Sequence, residues 1–339
     1  MIELKNDALT FRFPHLGSGA LMRVSFHRTL RVPGTGKTYP LPADLGRFRL
    51  RHVDDYASRL PEEIVRRGGV IMPMWQAEAM WIAFGGFRTG AIPCAVKVAA
   101  GKINAVSGQS WRDGLHRDPQ DYCVIPGQPW LDGFAVGKGV VRQFVAMPLG
   151  AGATAEEQLT GAAEHGGLQI AVTPLTEAAF AAWRNGGSDR TGRGWITPAC
   201  GITDTLGSRS PTMGLSPGGS IRQIVNQDTR PLDDYDVSRT LRVFVTILDA
   251  VAWRHATGEL PPTSPPTAQD YARARLPWFE LYQSDVAAVG GAPALQGLKW
   301  FGEWWTSGGP EEDIAVPQPT MLYSPLSREA KRLRPWNED

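Results

Sequence analysis

The groups through which this chain can do chemistry are six histidines, 34 acidic side chains and three cysteines, and their spacing limits which chemistry that is. His15, His27, His52, His116, His165 and His255 never recur at the i, i+2 or i, i+4 spacing that brings two imidazoles to one metal, so no metal site is expected. Cys94, Cys123 and Cys200 lie far apart without a C-x-x-C pair, which argues against a zinc knuckle or a disulfide framework, and no cofactor is called for. The adjacent carboxylates Asp54-Asp55, Glu156-Glu157 and Asp233-Asp234 can supply acid and base, but neighbouring side chains diverge, and solvated surface or helix capping is the plainer use. The densest gathering of chemistry-bearing residues runs from Gln128 to His165: Trp130, Asp132, Arg142, Glu156, Glu157 and His165 around expected strand ends. Asp132 sits in a turn before Gly133 and His165 precedes Gly166-Gly167, so a shared cleft is expected, with Arg142 orienting an anionic group. In an enzyme, His165 and Asp132 are its acid and base. The plainer alternatives are turn capping by Asp132, pairing of Arg142 with Glu156 or Glu157, and a surface position for His165.

Two motifs fail on their context. Gly34-Thr35-Gly36-Lys37-Thr38 has the lysine of a phosphate-binding loop, but the motif's first glycine would fall at Arg31, and Pro40 and Pro42 oppose the helix it needs. Gly214-Leu215-Ser216-Pro217-Gly218 matches the G-x-S-x-G nucleophile elbow, yet Pro217 has no N–H to give an oxyanion, and a strand rather than a helix is expected from Ser220. A turn is the expected structure there. Of the 12 tryptophans, Trp300, Trp304 and Trp305 have helical spacing, which predicts a helix docking the C-terminal arm on the core.

The elements that position these residues read as short strands. Runs of β-branched and aromatic residues bounded by turn residues cover Leu9 to Phe13, Leu21 to Val32, Ala95 to Val106, Val140 to Met147, Leu168 to Val172, Ser220 to Val225 and Thr240 to Leu248. The third is interrupted at Gly101-Lys102 and predicts a hairpin. Gly68-Gly69, Gly166-Gly167 and Gly218-Gly219 are expected as turns leading into strands. Short helices follow Pro61, Thr154, Thr176 and Thr267, the second and fourth with capping-box partners Glu157 and Asp270. The fold class is therefore α+β, mostly antiparallel strands in a sandwich-like arrangement with several short helices.

Three parts are expected: a β-rich unit over 1–187, a second over 188–266 packed on it, and a helical or irregular arm over 267–339. The seam falls in the Gly-rich run Asn185 to Gly194, and the Pro-rich stretch Thr257 to Thr267 is an extended connector. Short echoes such as Arg28-Thr29-Leu30-Arg31-Val32 and Arg239-Thr240-Leu241-Arg242-Val243 are too brief to establish duplication.

Thirty-five basic against 34 acidic residues leave a formal charge of +1, too little field to gather a polyanion, so nucleic acid is not an expected partner. No stretch approaches the roughly 18 apolar residues of a membrane span, and Glu3, Lys5 and Asp7 interrupt the N-terminus where a secretory signal is apolar. The expectation is a soluble, cytoplasmic protein that binds an unidentified small ligand or protein partner, with self-association left open. The alternative is a hydrolase-type enzyme working through dispersed carboxylates and a histidine.

Five segments carry a resemblance: Pro73 to Trp81 (PMWQAEAMW), Val96 to Gly108 (VKVAAGKINAVSG), Gln120 to Gly133 (QDYCVIPGQPWLDG), Arg142 to Gly150 (RQFVAMPLG) and Leu276 to Tyr282 (LPWFELY). In combination they resemble a family of uncharacterised actinobacterial and fungal proteins, some fungal members of which carry a ubiquitin-like domain. The family pattern favours an aromatic at Ala153 and an Asp at Glu280, where this chain departs from it. The resemblance implies no catalytic residue. Its members are often labelled integral membrane proteins, a label that the absence of an apolar span in this sequence opposes.

Overall fold

The computed structural model describes residues 1–85, 91–185, 212–282, 287–304 and 312–323. Apolar segments rich in β-branched and aromatic residues form strands that are buried over most of their length, and their pairing produces a sandwich-like α+β fold of mostly antiparallel sheet with short helices. One hydrogen-bonded path runs Ile2–Lys5, Ala8–Arg12, Leu21–Thr29, Ala79–Phe84, Val140–Pro148, Thr212–Arg222, Leu241–Asp249, Leu168–Pro174, Cys94–Ala100 and Cys123–Ile125, antiparallel at every step. Val70–Met74 joins Leu241–Asp249 in parallel, and Thr38–Tyr39 joins Thr212–Arg222 in parallel. Residues on either side of the expected seam pair directly, from Leu168 opposite Val245 to Val172 opposite Leu241. The run from 186 onward that was expected to form the seam lies outside the described residues, as do Cys200 and Trp305.

Two smaller apolar clusters gather around Trp253 and around Phe301, and the largest draws on strands from Leu9 to Ile247. The arm joins it: Tyr271, Trp278, Leu295 and Leu298 are buried there, and Trp278–Tyr282 pairs antiparallel with Leu41–Pro42 and parallel with Thr320–Tyr323. The hairpin at residues 100–103 forms, with Ala100 opposite Ile103 and both Gly101 and Lys102 at positive φ, as a two-residue turn between twisted strands requires. Both capping boxes form as well, at Thr154 with Glu157 and at Thr267 with Asp270.

Three expectations are corrected. Residues 214–218 are not a turn, and Gly218-Gly219 do not lead into a strand: all lie inside Thr212–Arg222, where the register against Val140–Pro148 shifts between Arg142 and Phe144. The shift lets a sheet accept Pro217, which has no N–H for the ladder, and it leaves Ser216 fully buried in a strand. Trp300 and Trp304 do not lie on an α-helix. Trp300 has an extended backbone and precedes a single 3-10 turn, Phe301–Glu303, in which Gly302 disfavours helix and Phe301 supplies the buried contact. The strands Val70–Met74 and Ala79–Phe84 were not expected; the first is buried at every position, so it has no polar face to show alternation. In line with the rejection of a phosphate loop there, Thr38–Tyr39 is a strand and not the helix that such a loop needs.

Candidate functional site

His165 lies in a cleft of about 270 Å³ also lined by Glu63, Arg67, Leu149, Glu164, Thr212 and Thr246. Five elements build it, among them the strand Thr212–Arg222 through Thr212. The helix Glu62–Arg67, opened after Pro61 and closed at Gly68, sends Arg67 across the gap to donate to the carbonyls of His165 (2.9 Å) and Glu164 (2.6 Å), with its guanidinium 5.4 Å from the centre of the Phe244 ring. The strand Leu241–Asp249 supplies Thr246, which is buried and whose Oγ1 has no hydrogen-bond partner. The remaining walls are the turn after Val140–Pro148 and the loop between the helix Ala155–Thr160 and the strand Leu168–Pro174.

Glu156 fixes that loop. Its buried carboxylate accepts from the backbone N–H groups of Glu164 (3.1 Å), His165 (2.8 Å) and Gly166 (2.8 Å). Three convergent donors compensate a charge that would otherwise be costly to bury. Glu157 serves the opposite wall, accepting from the N–H groups of Gly150 and Gly152 (both 2.8 Å) and from Thr154 Oγ1 (2.7 Å). The adjacent pair thus diverges, each carboxylate holding one loop that borders the cleft.

The other residues of the 128–165 segment lie elsewhere. Asp132 is buried, accepts from Gln223 Nε2 (2.8 Å) and from the side chain of Trp130, and is held up at about 7, chiefly because burial disfavours its charge. Trp130 meets the edge of Trp81 with ring centres 6.5 Å apart. Arg142 donates to the carbonyl of Leu298 (2.5 Å), so it ties the arm to the sheet instead of pairing with either glutamate. None of the three lines the cleft. Arg67, Glu63 and Thr246, absent from the sequence reading, come from segments about 100 residues before and 80 after His165, and no local signal joins them.

Electrostatically the cleft is mixed. Burial, and then the nearby charge of Lys102, lower the pKa of His165 below 6.5, so its imidazole is neutral at pH 7 and can both donate and accept. Arg67 spends N–H groups on backbone carbonyls, and Glu63 and Glu164 offset its charge. Among the described residues no group of three His, Cys, Asp or Glu is arranged to hold a metal, and no helix is long and apolar enough to cross a membrane. Large apolar side chains that are exposed, such as Leu260, Val237 and Met321, come from separate segments. No family model, curated protein or solved structure matches this chain.

Proposed function

We propose that this chain is a soluble, cytoplasmic binding protein whose ligand is a small, neutral, hydroxyl-bearing molecule held between His165 and Thr246. The observation that carries the reading is that Thr246, whose buried Oγ1 has no hydrogen-bond partner, is among the residues lining the His165 cleft. A buried hydroxyl without a partner costs roughly 1–3 kcal/mol, a cost that a ligand hydroxyl removes on binding. The volume suits a molecule a little below the usual range for ligand pockets, on the order of 300–1,000 Å³. With Arg67 against Glu63 and Glu164, the lining carries no excess positive charge that would select an anionic ligand. Cys94 and Cys123 are buried free thiols, the state kept by a reducing compartment.

The test is titration with glycerol and with glucose, followed by backbone amide and imidazole NMR shifts. Saturable shifts at Arg67, His165 and Thr246 are expected, weakened at least tenfold in Thr246→Val and in His165→Ala. Thr246→Val keeps the shape and removes the unpaired hydroxyl, so without ligand it should be as stable as the parent or about 1 kcal/mol more stable. Saturable shifts that survive both substitutions, or none with either probe, would refute the reading.

A further inference from the structure

On the face of Leu21–Thr29 opposite Val24 and Phe26, three buried side chains, Ser25 at 5%, His27 at 2% and Asp44 at 9% exposure, form a continuous hydrogen-bonded relay. Ser25 Oγ lies 2.9 Å from His27 Nε2, and His27 Nδ1 lies 3.0 Å from Asp44 Oδ1. Alternation along Leu21–Thr29 explains the first pair: Val24 and Phe26 enter the core, so Ser25 and His27 share the other face. A bulge explains the second. His27 lies opposite Arg47 but Thr29 lies opposite Asp44, so the strand Asp44–Arg47 spends one extra residue against Leu21–Thr29. Such an insertion re-aims a side chain, here the carboxylate toward the imidazole.

The proton positions follow from the acceptors. A carboxylate only accepts, so Nδ1 carries the hydrogen given to Asp44, and in that tautomer Nε2 accepts from the Ser25 hydroxyl. That is the order of roles in a serine nucleophile, its general base and the carboxylate that orients the base. The Trp81 ring stacks on His27 with centres 4.3 Å apart and planes 28° apart, fixing the imidazole, and Trp130 adjoins Trp81.

We propose that Ser25, His27 and Asp44 form a nucleophilic site, separate from the His165 cleft, that reacts with carboxylic esters carrying an aromatic or extended apolar group, for which Trp81 and Trp130 are the flanking surface. In the reaction Ser25 Oγ bonds to the acyl carbon while its proton passes to His27 Nε2. The bond from the acyl carbon to the alcohol oxygen breaks, and the alcohol leaves with that proton. Water, deprotonated by the same nitrogen, then releases the acid and restores Ser25. A serine in mid-strand lacks the sharp turn that gives a hydrolase elbow its free N–H, and one oxyanion donor is worth roughly 10²–10³ in rate, so acylation and deacylation are both expected to be slow.

The experiment is reaction of the full chain with an alkyl fluorophosphonate, in which the Ser25 Oγ–P bond forms and fluoride leaves, followed by intact mass and peptide mapping. One adduct on the peptide containing Ser25 is expected, absent in Ser25→Ala and slowed about 10²–10⁴-fold in Asp44→Asn. Peptide mapping of the unsubstituted protein stands whatever the variants do to folding. No adduct at Ser25 in the folded protein, or labelling as fast in a folded Asp44→Asn variant, would overturn the proposal. Labelling that proceeds while glycerol and glucose show no saturable shifts would support this site and sink only the cleft reading.

Discussion

The carboxylate of Asp132 accepts a 2.8 Å hydrogen bond from Gln223 Nε2, while Gln223 Oε1 accepts from the backbone N–H of Asp132 at 3.0 Å, so two side chains 91 positions apart clasp each other inside the protein. Burial raises the Asp132 acid from 3.8 to about 7. The folded state therefore keeps a proton that the unfolded chain has lost between those values. This contribution is complete below about pH 4 and is lost as pH rises through 7, by about 4 kcal/mol in all. Asp132→Asn, which cannot ionise, should gain stability relative to the parent across that window and hold a constant difference above it. Urea unfolding of both proteins from pH 4 to 9 measures this, and a difference independent of pH would contradict it.

Glu156 should be the clamp of the His165 loop. Glu156→Ala removes the acceptor for three N–H groups and is expected to destabilise by about 3 kcal/mol, with faster hydrogen exchange confined to the amides of Glu164, His165 and Gly166. Gly101→Ala should produce the same local signature. Its φ of +55° disfavours a side chain, and an added Cβ would stand 2.3 Å from Glu156 Oε2. Unchanged exchange at those amides in both variants would remove the clamp.

Lys97 is buried beside Asp121, 2.7 Å away, and also donates to the carbonyls of Arg112 and Gly114. Asp121 in turn accepts from His116 Nδ1 at 2.9 Å. Replacing Lys97 with Met leaves a buried carboxylate without its cation, and about 3–5 kcal/mol of stability should be lost. The double variant Lys97→Met, Asp121→Asn should recover part of that loss, because the uncompensated charge is gone. Thermal melts of the four proteins of this cycle test it; strict additivity would refute the coupling.

The arm should be integral to the core. Trp278 is 2% exposed, with its ring centre 5.3 Å from that of Tyr271, whose hydroxyl donates to the carbonyl of Pro277 and accepts from the N–H of Ala43. Trp278→Ala should cost about 3–5 kcal/mol, and removal of residues 267–339 should lower the melting temperature further. A melting temperature unchanged by the truncation would show the arm to be an independent tail.

What could be read along the chain were features settled within a few residues. The capping boxes at Thr154 and Thr267, the turn at Gly101-Lys102 and the helix between Pro61 and Gly68 close their hydrogen bonds locally, so residue type and spacing suffice. Alternation likewise places Ser25 and His27 on one face before any partner is known. Partners set by strand pairing are different. Only folding brings Thr246 and Arg67 to His165, joins Gln223 to Asp132, and inserts the bulge that turns Asp44 toward His27. Glu156 and Glu157 looked like chemistry because two carboxylates stood together, and the tertiary structure gives their oxygens to backbone amides. The physical reason is the same in each case: local geometry selects an element and its faces, whereas register and burial, fixed by contacts across the whole core, decide which polar groups are satisfied and which are left open.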